Sequence, residues 1–547
     1  MSVLGKKWLI KNKDSNKSIF EKMLENRGFS KSIDEDLKFH DPYLFKDMEK
    51  AVSRIKEAIE KQERIIVFGD YDVDGITAAA ILIQTLKKLG ANSSYRLPNR
   101  MHDGYGLSEK FIDEFIEKDI KLVITVDCGI ACKNEIKKAK DNGIDVIITD
   151  HHSIPDNFPD DACAIIHPKI QDTKYPYSEL TGAGVALKLA KALIPEDYEE
   201  LLDLAAMGTI ADLGPLTGEN RLIVKKGLKV LSNTKWPGLS KIKESTKLKK
   251  GEKVDTFNVG YQIAPRINAA GRIGNPYTAL ALILQETEDE KTLSLSQKLE
   301  DLNKERQEMT FSSVIEAEGN LDKSNIPSII IDHSEAWHVG ILGLIAGRLC
   351  ESYSRPCIMM QDFGDTLVAS ARGPQFFNIV EALKECSDLL ISFGGHAQAA
   401  GFNIKKENLE KFIKKITAYA DKKLKYESFE SVLEIDCELD DKDLSFNLID
   451  QIGSMEPFGI ANQKPIFVLK NVEPLFVSNV GKGAAHLKFS IQNAGRNIGV
   501  IAFRMGDHVE TLRKHRKIDL AFHLERNIWN NKESIQLQAL DFEINEG

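Results

Sequence analysis

The stretch that most restricts what this chain can become is RIIVFGDYDVDGITAAAIL, residues 64–82. Ile65 to Phe68 form a run of β-branched and aromatic apolar residues, the pattern of a strand buried on both faces. Three carboxylates follow at alternate positions, Asp70, Asp72 and Asp74. Gly75 then lets the chain turn, and ITAAAILIQTLKKLG continues as an apolar helix that stops at Gly90. Acids crowded at a buried strand end repel one another and lose hydration. A solvated turn that uses Asp as turn former is one reading. The other is a divalent-cation site, where the ion converts repulsion into attraction.

Two more strands bear on the choice. KLVITVDCGI (121–130) reads as a second buried strand ending in Asp127, and GIDVIITDHHSIP (143–155) as a third ending in Asp150, His151 and His152. Successive β–α units imply a parallel sheet, whose binding crevice lies at the C-terminal strand ends. The acids and imidazoles therefore converge although they are distant in sequence. LLDLAAMGTIADLGPL (201–216) adds Asp212 after an apolar helix, where an acid serves equally as helix cap or as ligand. Asp and His ligands without thiolate favour Mn²⁺ or Mg²⁺ over structural zinc, and there are enough carboxylates for two ions. Two such ions clamp an in-line displacement at phosphorus, so metal-dependent phosphoester hydrolysis is the chemistry indicated. There is no G-x-x-x-x-G-K-[ST] loop for a nucleotide-driven motor and no G-x-S-x-G elbow for a serine hydrolase.

A chain of 547 residues exceeds one core, and three or four domains are expected. Residues 1–50 read as a helical lead-in and 51–285 as the parallel-sheet lobe. Within that lobe, YRLPNRMHDGYGLS (95–108) reads as a loop, KWPGLSKIKESTKLKKGEK (235–253) as surface, and QIAPRINAAGRIGNP (262–276) as a loop carrying Arg266 and Arg272. A charged helical stretch over 286–321 is too sparse in apolar residues for a core helix and is read as a connector. A second α/β lobe over 322–425 follows, with SIIIDHS and TLVASARG as strands. It includes SFGGHAQAAGF (392–402), read as a Gly/Ala-rich turn with His396. Such glycines either pack closely or admit an anion, which Arg372 could bind bidentately. From 430 to 547 short strands separated by turns suggest a small β-barrel of oligonucleotide-binding type. Phe458, Lys482, Lys488, Phe489, Arg504 and Trp529 there suit single-strand binding, and the aromatics equally suit a barrel core. The expected fold class is α/β: two α/β lobes joined by a long helix, plus the C-terminal barrel.

Composition narrows the partners. A net charge of −9 and a pI near 5.9 argue against non-specific coating of duplex DNA, and leave room for a locally basic groove. Seven scattered cysteines suit a reducing cytoplasm, and Cys128 and Cys132 lack the second pair that structural zinc needs. The opening MSVLGKKWLIKNKD has no apolar signal core and no stretch approaches the roughly 18 apolar residues of a membrane span, so a cytoplasmic protein without membrane contact is expected.

FGDYDVDG, VDCGI, TDHH and GTIAD, in that order, resemble the successive motifs of the DHH phosphoesterase superfamily. EAWHVGILGLIAGRL, SARG and SFGGHAQAAG resemble its associated DHHA1-type lobe. MEPFGIANQKPIF and RNIWNNKESIQLQALDFE resemble the C-terminal barrel of RecJ-type nucleases, and the similarity runs from about residue 50 to the end. The resemblance implies a 5′-to-3′ exonuclease specific for single-stranded DNA that releases mononucleotides in DNA repair and recombination. It implies that Asp72, Asp74, Asp127, His151 and Asp212 ligate two Mn²⁺ or Mg²⁺ ions, with Asp127 as the bridge. His152 would polarise the scissile phosphate, and Asp70 and Asp150 lie in the catalytic motifs. Ser370, Arg372 and His396 would meet the DNA, Arg100 and Arg272 its 5′ end, and Tyr105 would stack a base. Single-strand-binding protein and a RecQ-type helicase are the implied partners, and a monomer is expected because the barrel and lobes could build a groove within one chain. Two departures stand out: PQFFNIVEAL after SARG, and Gly214 where a β-branched residue is usual. Two rivals remain, a DHH-family phosphodiesterase for short oligonucleotides or cyclic dinucleotides and a non-catalytic DNA-binding scaffold. The barrel argues against the first and the full ligand set against the second.

Overall fold

The structure, a computed structural model, describes residues 2–545 except 35–36, 101–102, 105, 250, 426–428, 430, 494 and 531. The chain divides into two compact units, 38–427 and 1–37 together with 428–547.

In the first unit, the strands Ile65–Gly69, Leu122–Val126, Asp145–Thr149 and Ala164–Ile166 pair in parallel in that order, and Ser93–Arg96 adds in parallel on the free side of Ile65–Gly69. All five residues of IIVFG and all five of LVITV are buried. Each large side chain there contributes roughly 1.5–3 kcal/mol by leaving water. Helices cover both faces, and one of them, Val73–Lys88, is buried along most of its length. This strand order reverses direction between Ile65–Gly69 and Leu122–Val126. A doubly wound sheet opens its ligand crevice at that switch point, beyond the C-terminal strand ends. Asp70–Asp74 and Asp127 stand there.

The connector is a single helix, Glu290–Asn320, about 46 Å long at 1.5 Å per residue, capped where Asp289 accepts from the Thr292 N–H at 2.9 Å. It packs on the helices Ala264–Ile273 and Tyr277–Ile283 of the parallel-sheet lobe and on Val339–Tyr353 of the second lobe. The second lobe's sheet runs Leu390–His396, Ala399–Lys405, Thr366–Arg372, Cys357–Asp362, Ile330–Ser334; only the last pair is parallel.

Three expectations within this unit need correction. Residues 264–273 are a helix preceded by a π-helical turn, not a loop. Of the Pro and Gly that suggested a loop, Pro265 follows the π-helical turn, and Gly274 is the C-cap, where glycine is tolerated. Pro237–Ser245 is a helix that buries Gly238, Leu239, Ile242 and Lys243, so 235–253 is not all surface. Residues 392–402 form most of a hairpin, with Gly394 opposite Gly401 and His396 opposite Ala399.

In the second unit, seven strands form one sheet: Cys437–Glu438, Phe467–Val472, Ile518–Trp529, Lys532–Ile544, Arg496–Ala502, His486–Asn493, Pro474–Val480. Phe467, Phe489, Phe522 and Phe542 fill its core, while Trp529 is exposed. The opening residues are not simply a helical lead-in. Lys7–Ile10 is a strand parallel to Val432–Ile435, and Met23 and Leu24 of the helix Ile19–Glu25 enter the core of this unit. Arg27 locks the join through Asp436 at 2.6 Å, a pair almost closed to solvent. Among the described residues, no helix is long and apolar enough to cross a membrane.

Candidate metal centre and phosphate groove

The strand Ile65–Gly69 delivers Asp70, buried, and Asp72, which caps the helix Val73–Lys88 by accepting from the Gly75 N–H at 3.1 Å. Asp74 lies in the first turn of that helix. Its two oxygens accept from the Gly182 N–H at 2.6 Å and the Ala183 N–H at 2.9 Å, at the N-terminus of the helix Gly182–Leu193. That helix end favours an anion. Even so, burial and then the Asp72 charge push the Asp74 carboxyl up to about 7.

Asp127 leaves the end of Leu122–Val126 with φ of 58°, a left-handed conformation that a non-glycine residue adopts at a cost. This turns its carboxylate into the crevice. Its Oδ1 is buried without a hydrogen-bond partner among the described residues. His151 Nε2 lies 3.1 Å from that oxygen, 3.9 Å from Asp74 Oδ2 and 3.7 Å from Asp212 Oδ2. Burial, then Asp74, Asp72, Asp70 and Asp212, hold the Asp127 carboxyl well above the usual range. Asp212 is both things its sequence allowed, the C-cap of Leu202–Ala211 and a neighbour of His151, and its side chain stays 36% exposed.

Ligand atoms of Asp70, Asp72 and Asp127 come together within 4.8 Å, as do those of Asp74, His151 and Asp212 and those of Asp127, His151 and His152. A buried, unpartnered carboxylate oxygen among like charges is what a divalent cation would satisfy, and the donor set is all oxygen and imidazole. The residues fit two such ions.

The adjacent histidines differ. Burial, then His152, holds the His151 imidazole down at about 3, so it is neutral and able to ligate. Burial also disfavours charge on His152, but Asp150 outweighs it through a 2.7 Å hydrogen bond to Nδ1 and its charge, raising His152 to about 9. Asp150 remains ionised despite burial. It accepts from His152 Nδ1 and from the N–H groups of Ile130, His151 and His152, which together hold its carboxyl well below the ordinary value. Asp150 thus sits behind His152 rather than among the grouped ligands.

From the second lobe, the ring of His396 lies 6.5 Å from that of His152 and within 12° of parallel. Beyond it a groove of about 490 Å³ is lined by Arg100, Ser370, Arg372, Gly394, Gly395 and Phe393, among others. Arg372 donates to the Ala371 carbonyl at 2.8 Å and to Ser370 Oγ at 3.2 Å. Arg272 donates to the Gly340 carbonyl at 3.2 Å, and burial followed by Arg100, Arg306 and Arg372 lowers it to about 10. Arg100 lies 5.3 Å from the Tyr71 ring centre. Arg100 and Arg372 both line the groove, and cations gathered in a cleft form an anion site. Tyr105 lies outside the described residues.

Sequence reasoning missed several contributors. A Cβ at position 182 would lie 2.5 Å from Asp127, and one at 208 would lie 2.4 Å from Asp74 Oδ1, so both positions exclude larger residues. Gly182→Ala is expected to lower Mn²⁺ affinity and cleavage at least about tenfold, the scale of other supporting-shell changes, measured by metal titration. His167, buried, donates from Nε2 to the His152 carbonyl at 2.9 Å and accepts from the Lys169 N–H through Nδ1. His167 follows the strand Ala164–Ile166, so the strand-end logic that located Asp127 also reaches it.

Three family models match this chain: DHH family, N-terminal domain over residues 64–209; DHHA1 domain over 326–422; and RecJ OB domain over 435–541. The Thermus thermophilus single-stranded-DNA-specific exonuclease RecJ is 33% identical over 94% of this chain and 74% of its own length. This chain belongs to the RecJ family. The Bacillus subtilis RecJ is 38% identical over 93% of this chain, which spans 65% of that protein's length. The crystal structure of Thermus thermophilus RecJ with Mn²⁺ superposes with a TM-score of 0.83 at 30% identity, over 97% of this chain and 76% of that one. The same protein's Mg²⁺ complex gives 0.76 at 28% identity, over 97% and 75%. The RecJ assignment brings the DHH lobe, the DHHA1 lobe and the OB domain into one scheme and agrees with the acid and imidazole cluster as a site for Mn²⁺ or Mg²⁺.

Proposed function

We propose that this chain is a metal-dependent exonuclease that removes mononucleotides from the 5′ end of single-stranded DNA. One observation carries the reading: two carboxylate-rich ligand groups meet beside an arginine groove suited to a terminal phosphate. Asp72, Asp74, Asp127, His151 and Asp212 would hold the ions, with Asp70 close enough to join them. Bound there, two Mn²⁺ or Mg²⁺ ions would supply an activated water and charge stabilisation for in-line displacement at phosphorus.

The chain's own groups do the rest. Arg100, Arg272, Arg372 and Ser370 bind the 5′-terminal phosphate and set the strand's register. His152, kept protonated by Asp150, donates toward a non-bridging oxygen of the scissile phosphate, with His396 stacked beside it. Tyr105 is assigned to stack a base. In this division of labour, 51–285 carries the metals, 286–321 connects, 322–425 grips the phosphate, and 430–547 binds single-stranded DNA. We extend the reading to a cytoplasmic monomer acting in repair and recombination on strands exposed by a RecQ-type helicase and covered by single-strand-binding protein.

The test uses 5′-phosphorylated strands labelled at the 3′ end, with Mn²⁺, Mg²⁺ or EDTA. Successively shorter labelled products with either metal, none with EDTA, and an intact blunt duplex are expected. Turnover of dinucleotides alone would replace the reading with a small-substrate phosphodiesterase.

A further inference from the structure

The helix that carries Arg272 opens with a π-helical turn, Asn258–Ile263. Such turns are rare and concentrate at functional sites. This one displays Tyr261, 74% exposed, and Phe257 just before it, 56% exposed. Their rings stack on each other, with centroids 5.0 Å apart and planes 27° from parallel. Neither ring belongs to a hydrophobic core cluster among the described residues. Single exposed aromatics are ordinary, but a stacked pair held in water is an apolar face without a partner.

Its position says what covers it. Further along the same helix, Asn268 accepts from the Val73 N–H at 3.2 Å, inside the loop of acids. Gly271 packs so closely on that loop that a Cβ would lie 2.4 Å from the Tyr71 carbonyl oxygen. Arg272, next in line, donates to the Gly340 carbonyl and feels the charges of Arg100 and Arg372, which line the phosphate groove. At the other end, the Cβ position of Gly260 is 3.8 Å from Ile210 Cγ2, on the helix that Asp212 terminates. One helix therefore runs from the phosphate groove, past the metal loop, to the aromatic pair, which lies about 16 Å from Arg272 at 1.5 Å per residue. Lys247 and Lys249, both exposed, precede it and suit a strand's phosphates.

We propose that Phe257 and Tyr261 form a stacking platform for nucleobases on the 3′ side of the scissile phosphate. The inference rests on the single-strand nuclease reading and adds a further point of contact with the strand to those that reading supplies. Stacking suits an enzyme that must accept any sequence, since every base has a π-face.

The experiment measures initial cleavage of 5′-phosphorylated strands by the full chain in Mn²⁺, with a single abasic site walked along the strand. For the unaltered protein, an abasic site at one position downstream of the first linkage should raise KM roughly tenfold, the size of one lost stack, with little change in kcat. Tyr261→Ala should raise KM on the intact strand by a similar factor and abolish the positional penalty, and Tyr261→Trp should preserve both. An unchanged KM in Tyr261→Ala and Phe257→Ala, or a positional penalty that persists in them, overturns the platform while leaving the nuclease intact. Absence of any cleavage by the unaltered chain overturns the nuclease reading and the platform together.

Discussion

Asp127→Asn is expected to abolish metal-dependent cleavage while making the metal-free protein more stable. The two effects have one origin. Asp127 is buried among Asp74, Asp72, Asp70 and Asp212, and its carboxyl is held well above the ordinary value, by burial first and then by those charges. A carboxyl raised in the folded state binds its proton more tightly there than in the unfolded chain. Stability is then fully present below the unfolded pKa and declines as pH rises through the folded one. At neutral pH the metal-free cluster therefore works against the fold. Asn keeps the shape and removes one charge, a gain on the order of 1 kcal/mol and a melting temperature higher by about a few degrees. The loss of activity follows from the same oxygen, Oδ1, which has no hydrogen-bond partner among the described residues. Removing a carboxylate that belongs to two of the ligand groups would forfeit several kcal/mol of the transition-state stabilisation that bound ions would supply, or at least about 10³ in rate. Thermal unfolding in EDTA and in Mn²⁺, alongside the cleavage assay, reads all of this. Mn²⁺ at about 100 times its Kd should stabilise the unaltered protein by about 2.7 kcal/mol and the variant far less. A variant that melts lower in EDTA yet keeps its full response to Mn²⁺ would remove Asp127 from the centre.

That centre was legible in sequence because parallel sheets present ligands at predictable places. Ile65–Phe68 and Leu122–Val126 announce themselves by uninterrupted burial, and the residue after such a strand must face the crevice. What escaped notice depends on contacts between distant segments. Nothing local in TGAG tells that Gly182 must clear Asp127 or that its N–H will clasp Asp74. Local composition also misled where glycine and proline were read as loop formers. In QIAPRINAAGRIG the proline follows a π-helical turn and the last glycine sits at a C-cap, so the punctuation marks a change of helix type and a helix end. In SFGGHAQAAGF small residues let two strands of a hairpin lie beside the groove, an arrangement set by the pairing of Gly401 with Ser370 on the next strand. The opening strand Lys7–Ile10 could not be recognised alone, since its partner Val432–Ile435 lies at the far end of the chain.

The second large effect separates the two adjacent histidines. His151→Ala should remove the stabilisation by Mn²⁺, whereas His152→Ala should retain it and still lower kcat by about 10²–10³, the scale of losing one oriented donor to a developing charge. The distinction rests on protonation. His151 is held neutral at about 3, the form that ligates, and its Nε2 points at Asp127 and Asp212. His152 is held at about 9 because Asp150, itself fixed by backbone N–H groups, outweighs the burial of the ring. A protonated imidazole donates to phosphate and does not ligate. Asp150→Asn tests the linkage without touching either ring. Without the carboxylate, burial dominates and the His152 pKa falls, so the alkaline limb of the kcat profile should move to lower pH and kcat at neutral pH should drop about tenfold. A purely structural role for Asp150 predicts lower stability with the limb unmoved. A His152→Ala variant that no longer responds to Mn²⁺ would instead make His152 a metal ligand, as its place beside Asp127 and His151 allows on distance alone.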